Sequence, residues 1–233
     1  MTIRSAEILV TKLGAARRLL RSAVRLYFHA EDELAVHTVA SAAYGILKDL
    51  KKQRGQNEAE FATQTLFLGL AALAKKKMAG RLPRDVLNDK DLLGILDRLI
   101  THCGIDATTN ISKLDVAVSM GPRATAQFWD SNNRASNFLK HADRDATGAL
   151  PLKDVNNLGL LIGAMSSYES IAPDDLGFEG VVLQIYFLSK HKTDIDSDHP
   201  FAPSVAKLRT MDEDERLAFS AFQLDRPRPD GVD

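Results

Sequence analysis

Residues 5–29 read S-A-E-I-L-V-T-K-L-G-A-A-R-R-L-L-R-S-A-V-R-L-Y-F-H, and their spacing decides the fold. Leu9, Leu13, Ala16, Leu20, Ala23 and Tyr27 recur at intervals of three and four, the repeat of one face of an α-helix. Ser5 is suited to cap such a helix, which is expected to run to about His29. Beside the stripe stand Arg17, Arg21 and Arg25 at i, i+4 and i+8, with Arg18 next to them. A row of this kind can follow phosphates; its plainer reading is a solvated face.

The same period continues downstream. The acidic break Glu31–Glu33 opens a second helix at the end its charge favours, and Gly55 stops it. Its stripe is Val36, Val39, Ala43, Ile46 and Leu50, with His37 beside it. The run Ala40, Ser41, Ala42, Ala43 permits close approach of another helix. Lys48, Lys51, Lys52 and Arg54 make its last turn basic. Further helices are expected over 58–78, 89–102, 123–142, 153–167 and 178–191, with short ones at 204–210 and 213–222. The Lys75–Lys77 triplet reads as a solvated helix end. Gly80–Pro83 and Gly104 are breaks, and 105–121 is the most loop-like interior stretch. Strand alternation is nearly absent, 181–187 being the one ambiguous run. The expected fold is all-α: a helical bundle of about seven helices with mostly antiparallel neighbours. Residues 1–224 are expected to form a single helical domain, any sub-division falling near 79–88. Residues 225–233 (D-R-P-R-P-D-G-V-D) have nothing to bury and are expected to be disordered.

Composition narrows the function classes. A chain of 233 residues can bury a substantial core. The net charge of −1 gives the whole molecule no pull toward nucleic acid. The charge is unevenly placed, however. Residues 1–90 hold 16 Lys/Arg against 9 Asp/Glu, a balance of +7, and the remainder balances at −8. The plain reading is that basic early segments and acidic late ones attract each other. A single cysteine, Cys103, excludes an internal disulfide and suits a reducing cytosol. No apolar run is long enough for a membrane span, and the first residues lack the apolar stretch of a secretion signal. A cytoplasmic protein with no membrane association is expected. The phosphate-binding, dinucleotide, zincin, paired-cysteine and nucleophile-elbow motifs are all missing, so no cofactor is expected.

The densest chemistry lies in Asn132–Asp145, N-N-R-A-S-N-F-L-K-H-A-D-R-D. On a helix, residues seven apart return to the same face to within about 20°. Arg134 and His141 therefore share a face, with Asn137 between them and Asn133, Lys140 and Arg144 flanking. Arginine offers forked donors to phosphate oxygens, and histidine exchanges protons near neutral pH, as attack by an RNA 2′-hydroxyl requires. The bland alternative pairs Arg134 with Asp130 and His141 with Asp143 or Asp145, as structure alone.

The segment N-F-L-K-H-A-D-R-D resembles a family of uncharacterised bacterial all-helical proteins with an N-F-x-K-H-A-D-R-D core. The stretches A-V-H-T-V-A-S-A-A-Y-G-I-L and Y-F-L-S-K-H are similar to theirs as well; together the three touch about a fifth of the chain. More remotely, Arg134 and His141, six residues between them, fit the Arg-x(4–6)-His signature of HEPN-type helical domains. That resemblance implies a helical bundle, a homodimer and metal-independent cleavage of RNA. Arg134 would contact phosphate, His141 would do the acid–base work, and Asn133, Asn137, Lys140 and Arg144 would bind substrate. The family commonly has a polar residue after the arginine; here it is Ala135, a departure from the pattern.

A competing motif overlaps this one. Asp143, Asp145, Thr147, Gly148, Leu150 and Asp154 stand at positions 1, 3, 5, 6, 8 and 12 of an EF-hand calcium loop over 143–154. Asp154 replaces the usual bidentate glutamate, Pro151 occupies position 9, and no convincing partner loop exists. Three functions follow as expectations: RNA binding or cleavage, a non-catalytic helical adaptor with a protein partner, and calcium binding through Asp143, Asp145, Thr147 and Asp154.

Overall fold

The computed structural model describes residues 9–55, 69–82, 84–87, 90–110, 133–140, 147–190, 195 and 197–227. Regular structure among them is helical throughout, as the hydrophobic period predicts. In chain order the helices are α1 (Lys12–Phe28), α2 (Glu33–Gln53), α3 (69–78), α4 (Arg84–Leu87), α5 (Lys90–Cys103), α6 (133–140), α7 (Asn157–Glu169), α8 (Phe178–Lys190), α9 (Ala202–Arg209) and α10 (Glu213–Asp225). The ambiguous run 181–187 lies within α8. No helix among the described residues is long and apolar enough to cross a membrane.

The chain divides into two compact units. The first takes residues 1–56 and 135–233, and the second takes 57–134, which include the 79–88 break.

In the first unit, α1 and α2 pack extensively on each other and on α7. Alanines at the contact (Ala16, Ala23, Ala40 and Ala43) are fully buried and let the backbones approach. Leu20, Leu47, Leu161, Leu183 and Tyr186 fill the space between. Tyr27, Phe28 and Tyr186 meet edge to face, with centroids 5.1–6.0 Å apart. The Tyr186 hydroxyl donates to Glu213 Oε1 at 2.6 Å, and burial together with that carboxylate pushes its pKa well up. Lys190 and Arg216 also bind Glu213, so its carboxyl lies below the usual range although burial opposes that.

Several boundaries differ from the sequence-based expectation. Helix α1 starts at Lys12, where Thr11 Oγ1 accepts from Gly14 N–H at 3.0 Å; Ser5 lies outside the described residues. Leu9 is 85% exposed, so the first member of the expected stripe covers no core. Residues 152–154 form a short 3-10 turn rather than the start of α7. That helix begins after Asn156, whose side chain accepts from Gly159 N–H at 2.9 Å. Helix α10 has a reciprocal cap between Asp212 and Glu215 and extends through Asp225; residues 228–233 of the expected tail lie outside the described residues. The glycine stops hold: Gly55 and Gly104 take φ of 74° and 61°, which end α2 and α5 at little cost.

The arginine row of α1 is not a solvated face. Glu179, at the start of α8, is fully buried. Arg21 Nε donates to its Oε2 at 2.9 Å, and Arg25 donates to Oε1 through Nη2 at 2.8 Å and Nε at 3.0 Å. Arg25 also reaches the Leu224 carbonyl at 3.2 Å, and Arg17 pairs with Asp174 at 3.3 Å. Burial would raise the Glu179 pKa, but its own backbone N–H and the two guanidiniums overcome that and hold it low. These contacts realise, within one unit, the attraction between basic early and acidic late residues.

The second unit has its own small core of Ala71, Ala74, Leu96 and Ile105, against which Cys103 packs. The lysine triplet at the end of α3 is engaged. Lys75 donates to the Thr109 carbonyl at 3.0 Å, and Lys77 pairs with Asp97 at 2.6 Å.

Two predictions follow from charge and backbone. Replacing both Arg21 and Arg25 by alanine leaves Glu179 buried without its guanidiniums. Urea unfolding should show a loss of about 3 kcal/mol, the low end for a broken buried pair because the arginines are partly solvated; a loss below ~1 kcal/mol would contradict the clamp. Ala30, between α1 and α2, holds a left-handed φ of 52°. Ala30→Gly should raise stability by roughly 0.5–1 kcal/mol, the relieved backbone strain less the extra freedom of the unfolded chain.

Candidate functional site

Helix α6 contains the described part of the segment singled out by sequence. Asn133 is half-buried; Arg134, the last residue of the second unit, is exposed. Within the first unit, Asn137 and Lys140 are exposed and Phe138 is 39% exposed, while Ala135 is buried. His141, Asp143, Arg144 and Asp145 lie outside the described residues. Of the calcium-loop residues, Thr147 is exposed in a turn and Asp154 is exposed at the end of the 3-10 turn. No group of three or more His, Cys, Asp or Glu among the described residues is placed to hold a metal ion.

The inner side of α6 is fastened by side chains that the motif reading did not use. Ser136 Oγ lies 3.0 Å from His37 Nε2 and 2.8 Å from Ser41 Oγ, both on α2. His37 Nδ1 lies 3.1 Å from Asn157 Oδ1, at the first turn of α7. Asn157 Nδ2 donates to the Glu33 carbonyl at 2.9 Å.

Only one assignment of hydrogens satisfies the whole chain with a neutral ring. The amide nitrogen of Asn157 is committed to a carbonyl, so its oxygen faces the imidazole and accepts from Nδ1–H. Nε2 is then the bare nitrogen and accepts the Ser136 hydroxyl. Ser41 in turn donates to Ser136 Oγ. His37 itself is buried, and burial lowers its pKa; the bond to Asn157 opposes this and the charge of Lys140 adds to it.

His37 was visible in the sequence as a histidine at the edge of an apolar stripe. Ser136 and Asn157 were not, because their meaning comes from partners 99 and 120 residues away. The weak signal for them was type and place: a serine on the buried side of α6, and an asparagine pair at a helix start.

No family model, curated protein or solved structure matches the chain. Its class is that of all-helical proteins, and the site is defined by its own geometry.

The lowered His37 pKa makes stability depend on pH with a definite sign. The unfolded imidazole takes up its proton near pH 6.5, and the folded one resists until lower pH. The contribution is therefore complete above pH 6.5 and is lost as pH falls below it toward the folded pKa. Urea midpoints measured at pH 7.5 and 5.5 should drop for the wild type and drop less for His37→Asn. An equal drop in both proteins would show that other groups set the acid sensitivity.

Proposed function

We propose that this is an RNA-binding helical protein of HEPN-like type, with α6 presenting the contact surface. The observation that carries the reading is the exposure of Asn137, Phe138 and Lys140 on a helix whose inner side is held by buried hydrogen bonds. A lysine supplies phosphate attraction and an amide supplies paired donors and acceptors. An aromatic ring at the surface gives an unpaired base something to stack on. Arg134 lies on the same helical run and is exposed too, as a phosphate ligand must be. On this reading His141 acts on the 2′-hydroxyl as acid and base, Asn133 and Arg144 complete the substrate contacts, and the active species is a homodimer working without metal.

A second reading has one specific observation in its favour. An exposed phenylalanine also suits a protein partner, which makes α6 the docking face of a non-catalytic adaptor. Calcium binding at 143–154 stays a third proposal, tested by a rise in melting temperature with Ca²⁺ that Asp143→Ala removes.

The decisive experiment is a gel shift with single-stranded RNA at two salt concentrations, followed by incubation in EDTA. Lys140→Ala and Arg134→Ala should each weaken binding several-fold and flatten its salt dependence. His141→Ala should abolish cleavage while leaving binding and the melting temperature unchanged. RNA binding that survives both cation substitutions would overturn the assignment of the face. Binding without cleavage would leave a binding protein only.

A further inference from the structure

The polar chain on the inner side of α6 does more than fasten helices. We propose that Ser136, His37 and Asn157 form a nucleophile–base–orienter triad, and that Ser136 is an acyl-accepting serine for small, activated esters. This inference is independent of the RNA reading, since it uses none of Arg134, Asn137 or His141.

Three observations carry it. The distances are those of an activated serine: 3.0 Å from Ser136 Oγ to His37 Nε2, and 3.1 Å from His37 Nδ1 to Asn157 Oδ1. The polarity is correct, because the Asn157 amide is locked by its bond to the Glu33 carbonyl and forces the hydrogen onto Nδ1. The burial is graded in the required direction. The bond to Asn157 is buried, His37 is 3% exposed, and Ser136 is only half-buried, so burial lessens from the orienting end to the nucleophilic end. A base kept neutral and dry is ready to take a proton.

The step balances without any further reactant. Ser136 Oγ bonds to the ester carbonyl carbon while its proton passes to His37 Nε2, and the carbonyl electron pair moves onto oxygen. Collapse of this intermediate breaks the bond to the alcohol oxygen, which leaves with the proton from His37. Water then attacks the acyl-serine by the same route, releasing the acid and restoring the Ser136 hydroxyl. Asn157 is a positioning residue: it touches the imidazole and not the reacting atoms. Ser41 donates to Ser136 Oγ at 2.8 Å and fixes its rotamer.

The test is stoichiometric labelling of the full chain with a fluorophosphonate, which forms an Oγ–P bond with loss of fluoride, followed by peptide mapping. A p-nitrophenyl acetate burst is measured alongside. The wild type should carry one adduct, on Ser136, and show the burst; Ser136→Ala should show neither. His37→Asn should slow labelling by about 100-fold or more. Asn157→Ala should slow it as well and change the pH profile of labelling, because Nδ1–H then loses its acceptor, which a purely structural role does not predict. Circular dichroism melts identify any variant that fails to fold. Ser136→Ala changes so little volume that it keeps the question answerable if the others unfold. No adduct on Ser136 in folded wild type would overturn the proposal, as would labelling that proceeds equally fast in folded His37→Asn.

Discussion

A carboxylate withdrawn completely from water must be met by charge and by donors, and Glu179 imposes that condition on the first unit. It sits at the start of α8, where the helix dipole and its own N–H already favour the anion. Those terms alone do not offset the loss of hydration. Arg21 and Arg25, one turn apart on α1, complete the shell from both sides. Because Arg25 also holds the Leu224 carbonyl, one ion cluster sets α1, α8 and the end of α10 in mutual register. The apolar core supplies most of the free energy, since burial is worth about 25 cal/mol per Å² wherever it occurs. It does not choose among neighbouring registers; the ion cluster does.

The polar chain through His37 plays a corresponding part for α2. It adds hydrogen bonds from α2 to α6 and to α7 beside the apolar packing of α2 on α7. With these bonds made, α6 can expose Asn137, Phe138 and Lys140 on one side while its inner side is held. A surface rich in polar groups is then backed by a fixed support, which suits recognition because less ordering is left for the binding step.

Helix positions were largely legible in the sequence, and for a physical reason. Period and punctuation are local properties, so the stripe of α2, the stops at Gly55 and Gly104 and the helix over 178–190 could be read one segment at a time. Caps were less legible. Ser5 and Thr11 are equally able to accept from a backbone N–H, and only the position of the core decides that Leu9 stays in water. The paired charges were illegible. Arg21 and Arg25 look like any exposed basic row, and Glu179 looks like an ordinary first-turn acid. Their encounter spans more than 150 residues and has no local signature. The same applies to Ser136 and Asn157, which gain meaning only once α2 lies beside them. Of the residues expected at the site, Arg134, Asn137 and Lys140 are exposed and Asn133 is half-buried, while His141 and Arg144 lie outside the described residues.

The first unit is discontinuous in sequence: α1 and α2 come before residues 57–134, and their other partners follow. On the ribosome this order has a consequence. The paired α1 and α2 emerge early with Leu20, Val24, Val36 and Leu47 uncovered, and the whole of the second unit is synthesised before α7 and α8 can cover them. At ordinary elongation rates that interval lasts several seconds or more, far longer than a helix needs to form. The nascent chain therefore presents a sticky apolar face, flanked by unpaired arginines, for most of its synthesis. The order of synthesis thus leaves the α1–α2 face to be covered last, by segments that follow residues 57–134.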